Sequence, residues 1–285
     1  MRYETPVTLG AAVALKADAG DGGRFLAGGT DLLVQLRAGM VEPDVIIDIK
    51  NISELREISE EDGGFRVGAA VTGAELGEHA GFSAAWPGVV EGTELIGSSQ
   101  IQSRATMGGN LCNASPAADS VPAQIAAAAE LRIAGPSGVR EMAVEDFCTG
   151  PGKNVLGEGE ILVSFKYPAR GARASDAYLR MTPRTEMDIA VVGVGVSLTL
   201  DDSGTCTEAR VGLGAVAEKA LLVPEAAAAL IGTKVDAAAL ENMAAATRAA
   251  ARPIDDKRGT KEYRIKIAGV LARRAATSAL ERAGS

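Results

Sequence analysis

One histidine, His79, and three cysteines in 285 residues leave a zinc or copper centre almost no ligands to draw on. The cysteines, Cys112, Cys148 and Cys206, are odd in number and far apart, so they offer neither a disulfide framework nor a paired-thiol metal site. Redox chemistry here would need a cofactor held without cysteine or histidine. Positive charge is also short. With 29 basic and 37 acidic residues the net charge is −8, which repels a polyphosphate backbone and argues against nucleic acid as a partner. No stretch approaches the roughly 18 consecutive apolar residues of a membrane span. Residues 1–6 lack the charged-then-apolar order of an export signal, so a cytoplasmic location is expected. Aromatics are sparse at 4%, while the apolar share of 47% is ordinary for a globular protein long enough for two domains.

Familiar motifs are missing too. There is no G-x-x-x-x-G-K-S/T, hence no P-loop, and no G-x-S-x-G nucleophile elbow. Gly193-Val194-Gly195-Val196-Ser197 opens like a dinucleotide fingerprint, but the third glycine is absent and the run is apolar. It reads as a strand with close backbone packing. His79 reads as the C-terminal residue of a short helix, where the dipole favours it.

Periodicity predicts a helix over 6–17, a strand over 24–27 running into Gly28-Gly29, and a helix from Leu32 capped by Thr30-Asp31. β-runs follow at 44–49 and 65–71 with a break across 60–64, then a helix over 86–96. Residues 100–115, rich in Gly, Ser, Asn and Thr, have no period and read as a long loop. A helix over 116–129 carries Asp119 in its first turn, and strands follow at 131–134, 139–143 and 161–167. Residues 168–175 read as a linker. Beyond it come strands at 177–182, 189–200 and up to Leu213, with a hairpin turn at 201–204, then three alanine-rich helices from Pro224 split by Gly232 and by 252–259.

Two segments suit an anion. In Phe25-Leu26-Ala27-Gly28-Gly29-Thr30-Asp31-Leu32 a strand meets a helix through two glycines, which permit positive φ and close approach of a ligand. The N–H groups of such a turn bind phosphate oxygens. Thr106-Met107-Gly108-Gly109-Asn110 repeats the pairing, and its continuation ends in the Asp119 carboxylate, able to accept from a ribose or ribityl hydroxyl.

Together, AGGTDLLVQLRAG, EPDVIIDIKNISEL and TMGGNLCNASPAADSVPA resemble the FAD-binding subunits of the xanthine dehydrogenase and carbon monoxide dehydrogenase group of molybdenum hydroxylases, in their stand-alone form. Glu160–Ser164, Asp176–Ala190 (with Arg180, Arg184 and Asp188-Ile189-Ala190), and Pro253–Gly259 followed by Glu262-Tyr263-Arg264 extend the likeness over nearly the whole chain. The resemblance implies an α+β fold. A two-lobed FAD-binding domain of the vanillyl-alcohol-oxidase/PCMH type would span 1–170, with lobes about 1–57 and 58–170. A smaller α+β C-terminal domain, a sheet with helices like that of the CO dehydrogenase flavoprotein, would span 174–285.

It also implies a set of cofactor contacts. Phe25–Leu32 would hold the FAD pyrophosphate, Thr106, Met107, Gly108, Gly109 and Asn110 would cover it, and Asp119 would meet a cofactor hydroxyl. Ile96 and Leu162 would line the adenine or ring pocket. Arg180 stands where some relatives have lysine, so a planar fork replaces a point charge. FAD would be bound non-covalently, and the scattered cysteines argue against the additional iron–sulfur cluster of one branch. The implied role is an oxidoreductase subunit with no catalytic residue of its own. Substrate would be hydroxylated at molybdenum–pterin on a large partner, and electrons would arrive through 2Fe–2S clusters on a small one and leave from FAD to a terminal acceptor. The implied assembly is a dimer of heterotrimers. The alternative, a self-contained flavin-dependent reductase of the same superfold, requires a polar catalytic group over the flavin.

Overall fold

The computed structural model describes residues 1–284. The first lobe is β1 (Arg2–Glu4), α1 (Leu9–Ala19), β2 (Gly23–Leu26), α2 (Leu32–Arg37) and β3 (Val45–Asp48), with a parallel sheet in the order β1-β3-β2. Every residue of the central strand is buried, as a strand covered on both faces requires. α1 starts at Leu9, later than Pro6, because the Thr8 hydroxyl caps it by accepting the Ala11 N–H.

The second lobe opens with β4 (Ile58–Glu61) and β5 (Gly64–Gly68), a hairpin whose turn holds Asp62 and Gly63 at φ 53° and 77°. The break across 60–64 is thus a tight turn between paired strands. Five helices follow: α3 (Gly73–Glu78), α4 (Ala80–Ala85), α5 (Pro87–Glu94), α6 (Met107–Cys112) and α7 (Ser120–Ala126). Then come β6 (Glu130–Gly135), β7 (Gly138–Ala143), a small β8 (Cys148–Gly150) and β9 (Lys153–Asn154) pair, and β10 (Ile161–Tyr167). The antiparallel sheet runs β4-β5-β10-β6-β7.

The expected loop over 100–115 needs correction, since it contains α6. The Thr106 hydroxyl accepts the Gly109 N–H at 2.9 Å and starts the helix. Gly108 sits where a Cβ would lie 2.3 Å from the Ala69 carbonyl oxygen. Packing therefore outweighs the roughly 1 kcal/mol that each glycine costs in a helix. α7 is shorter than the predicted 116–129, and all of its residues are buried.

The C-terminal unit is a sheet in the order β11 (Ala174–Met181), β12 (Val192–Leu200), β13 (Cys206–Gly214), β14 (Leu221–Leu222). α8 (Pro224–Ala228), α9 (Ala237–Ala250) and α10 (Lys261–Gly284) follow, and α10 packs on β11 and β12 through a stripe including Ala268, Ala272, Ala275 and Ala279. Gly195 on β12 and Gly212 on β13 lie where a Cβ would come within 2.5 and 2.1 Å of the Pro122 carbonyl oxygen, so this sheet presses directly on α7. The segment 168–175 is not a free tether. The Arg170 guanidinium lies 3.9 Å over the Trp86 ring and donates to Asp176 Oδ1 at 2.7 Å, Ser197 Oγ at 3.0 Å and the Ala85 carbonyl at 2.5 Å. Among the described residues no helix is long and apolar enough to cross a membrane.

Candidate cofactor site

β2 ends at Leu26 and the chain turns at once into α2. Gly28 is required by closeness, since a Cβ there would lie 1.8 Å from the Arg104 carbonyl oxygen. Gly29 is required by conformation, with φ +76°. Among the described residues no acceptor takes the N–H groups of Gly28, Gly29, Thr30, Asp31 or Leu32. Asp31 precedes the helix without capping it, because its own backbone is already α-helical. Asp31 lines the cleft, and partial desolvation holds its carboxyl above the usual carboxylate range.

α6 starts on the facing wall, where Ala105 and Thr72 tie it to the second lobe: the Gly73 N–H donates to the Ala105 carbonyl, and Thr72 bridges Thr106. Between the walls is a cleft of about 190 Å³. Phe25, Ala27, Gly28, Gly29, Thr30, Asp31, Leu32, Ile96, Thr106, Gly109 and Asn110 line it. Among the described residues no lysine or arginine does. Attraction for an anion comes from untaken N–H groups and from the positive ends of two helices. Asn110 anchors its Oδ1 on the Ser120 hydroxyl at 2.7 Å and on the Ser120 N–H at 3.3 Å, so its amide nitrogen is left to point elsewhere.

Other expected residues stand behind or away from the cleft. Leu26, Met107 and Gly108 are buried supports, and Met107 Sδ accepts the Tyr167 hydroxyl at 3.5 Å. Leu162 lies in the hydrophobic core of the second lobe. Asp119 is buried, with Oδ1 accepting the Tyr178 hydroxyl at 3.0 Å and Oδ2 accepting Arg180 Nη1 at 2.6 Å. Burial pushes its carboxyl up to about 6 although Arg180 and Tyr178 pull it down. Gln35, Ala105 and Asn113 line the cleft without having been anticipated, and Cys112 lines it as well. Gln35 is one helical turn past Leu32 and Asn113 one past Asn110, so helical spacing held the signal for both. Burial pushes the Cys112 thiol up to about 12, so it stays protonated. His79 caps α4, its Nδ1 accepting the Phe82 N–H at 3.1 Å.

A second cavity, of about 380 Å³, lies between Pro116-Ala117 and Ile189-Ala190, with Ala215, Pro253 and Ile254 adding apolar wall. The cleft's free amides suit a pyrophosphate, and Phe25, Leu32 and Ile96 suit the apolar faces of a cofactor ring. A dinucleotide such as FAD fits these residues.

Residues 1–170 match the family described as the FAD binding domain in molybdopterin dehydrogenase, and residues 177–279 match the CO dehydrogenase flavoprotein C-terminal domain. The chain is 33% identical to the carbon monoxide dehydrogenase medium chain of Afipia carboxidovorans, over 99% of this chain and 97% of that one. It is 32% identical to the putative xanthine dehydrogenase FAD-binding subunit XdhB of Escherichia coli, again over 99% and 97%. Among solved structures, a chain of the Cu,Mo-CO dehydrogenase in its cyanide-inactivated form superposes with a TM-score of 0.95 at 33% identity, covering 99% of this chain and 98% of that one. A chain of quinoline 2-oxidoreductase from Pseudomonas putida gives 0.91 at 28% identity, covering 100% and 98%.

Proposed function

Because this chain belongs to the family of FAD-binding subunits of molybdenum hydroxylases, we propose that it is the electron-exit subunit of such a complex. In this reading a small partner with 2Fe–2S clusters delivers electrons that a large molybdenum–pterin partner has taken from substrate. Bound FAD supplies the conversion from single electrons to a two-electron transfer to the terminal acceptor.

The observation that carries the reading is the row of untaken N–H groups from Gly28 to Leu32, residues that line a cleft with no cationic side chain among the described residues. Those amides hold the pyrophosphate, and α2 and α6 add their dipoles. Thr106 fixes α6 and keeps Gly109 at the opposite wall. Asn110 offers its amide nitrogen, and Phe25 and Ile96 exclude water. Hold on the cofactor is non-covalent. The cleft's one thiol, Cys112, is kept protonated, and the chain's one histidine is engaged in capping α4. The cavity beside Ile189, whose wall combines apolar residues with Arg252, Arg258 and Arg264, gives room for a planar ring.

Purification from the native host tests the proposal. Two further chains in fixed ratio, with molybdenum, iron and FAD, are the expected result. A colourless chain that purifies alone and takes up no added FAD sinks it.

A further inference from the structure

α7 reads Ser-Val-Pro-Ala-Gln-Ile-Ala, and its two polar residues, Ser120 and Gln124, stand four apart and so share one face of the helix. Both residues are 0% exposed. A glutamine at such a place carries a desolvation cost that an apolar side chain of the same length avoids, unless all its polar atoms are paired. Here one is not. Gln124 Nε2 donates to Ser120 Oγ at 3.1 Å, while among the described residues its buried Oε1 has no partner. Helix stability does not account for this residue.

What the pair does account for is the direction of an amide. A primary amide has one accepting and one donating end of nearly the same size, so its neighbours decide which end faces where. The Ser120 N–H can only donate, and it meets Asn110 Oδ1 at 3.3 Å. The Ser120 hydroxyl can donate or accept. Because Gln124 donates to it, its own proton goes to Asn110 Oδ1 at 2.7 Å. With two donors on its oxygen, Asn110 turns its amide nitrogen away from α7, and Asn110 lines the cleft. We infer that Ser120 and Gln124 are positioning residues, which set Asn110 as a hydrogen-bond donor toward the cofactor. The inference rests on the FAD reading above. Both residues stand behind the cleft wall, and Gln124 acts on it only through Ser120.

The test uses the full chain, stripped of flavin and titrated with FAD, for wild type, Gln124→Met, Asn110→Ala and the double variant. Three quantities are read: the dissociation constant, the visible circular dichroism of bound flavin, and the melting temperature of the flavin-free chain. Methionine keeps the length of glutamine and removes both polar atoms. Gln124→Met should weaken FAD about three- to tenfold, the net worth of one hydrogen bond, and should alter the flavin dichroism. The melting temperature should hold or rise, since an unpaired buried acceptor is gone. In the Asn110→Ala background the same substitution should leave the dissociation constant unchanged, because the amide it sets is absent. A purely structural role gives a different pattern. The dissociation constant then stays at its wild-type value, or moves by the same factor with and without Asn110. Either result overturns the inference. Should Gln124→Met not fold, Ser120→Ala goes through the same cycle and is judged by the same criterion. A wild-type chain that binds no FAD overturns the function reading, and the inference falls with it. Tight wild-type binding matched by Gln124→Met overturns the inference alone.

Discussion

Gly28 and Gly109 answer to different neighbours, and substitution separates them. Gly109 is exposed at the cleft, where a Cβ would meet only the Thr106 hydroxyl oxygen at 3.0 Å. Gly109→Val should keep the fold and lose FAD binding; unchanged flavin content would mean the cleft is not the pyrophosphate site. Gly28→Ala pushes a methyl against the Arg104 carbonyl and should destabilise by about 1–3 kcal/mol or more, read by denaturant titration. Asp119 makes a prediction in pH. Its folded value of about 6 lies above the ordinary 3.8, so the folded state holds the proton more tightly than the unfolded chain. The stability this contributes is full below 3.8 and lost as pH rises through about 6. Wild type should therefore lose ground to Asp119→Asn over that window. Glu61 runs the other way: its hydrogen bond from Arg66 holds it near 2, below the ordinary 4.5. Its contribution is present above 4.5 and disappears as pH falls toward 2, so the difference between wild type and Glu61→Gln should shrink on acidification.

Among the elements, those with their own period were legible in the sequence and those shaped by neighbours were not. β3, β10 and β12 are apolar runs, and the 201–204 turn is fixed locally, with Asp201 Oδ1 accepting the Thr205 N–H at 2.8 Å. α6 was not legible, because two glycines oppose a helix and only the Ala69 carbonyl behind Gly108 explains one of them. The eleven residues found at the cleft came from local strand–turn–helix chemistry and family likeness. The setting of Asp119 stayed hidden because Tyr178 and Arg180 lie 59 and 61 residues further on. The segment 168–175 misled for the same reason. Its composition suggests a flexible link, while Arg170 reaches back 85 residues to the Ala85 carbonyl and stacks on the chain's one tryptophan. Arg170→Met would leave the buried Asp176 without its cation and should cost about 3–5 kcal/mol. Trp86 emission would report the change directly, and unaltered stability would refute the anchor.

Over the whole molecule, α7 is the element shared by the second lobe and the C-terminal sheet. It packs against α5 and α6 on one side and against β11, β12 and β13 on the other. Because Gly195 and Gly212 admit the Pro122 carbonyl, Gly212→Ala should destabilise the entire chain by about 1–3 kcal/mol rather than loosen one part. A single cooperative melt shifted downward is the expected trace. This burial also bears on how the protein is made. A chain leaves the ribosome at roughly 5–20 residues per second, and its early portions fold first where they can. Here the early portion cannot finish, since the cover for α7 includes β13, which ends at Gly214. Nascent chains arrested before β13 should fail to retain flavin, whereas those arrested well beyond the C-terminal helices should hold it. Cofactor loading should thereby wait until β13 has been made.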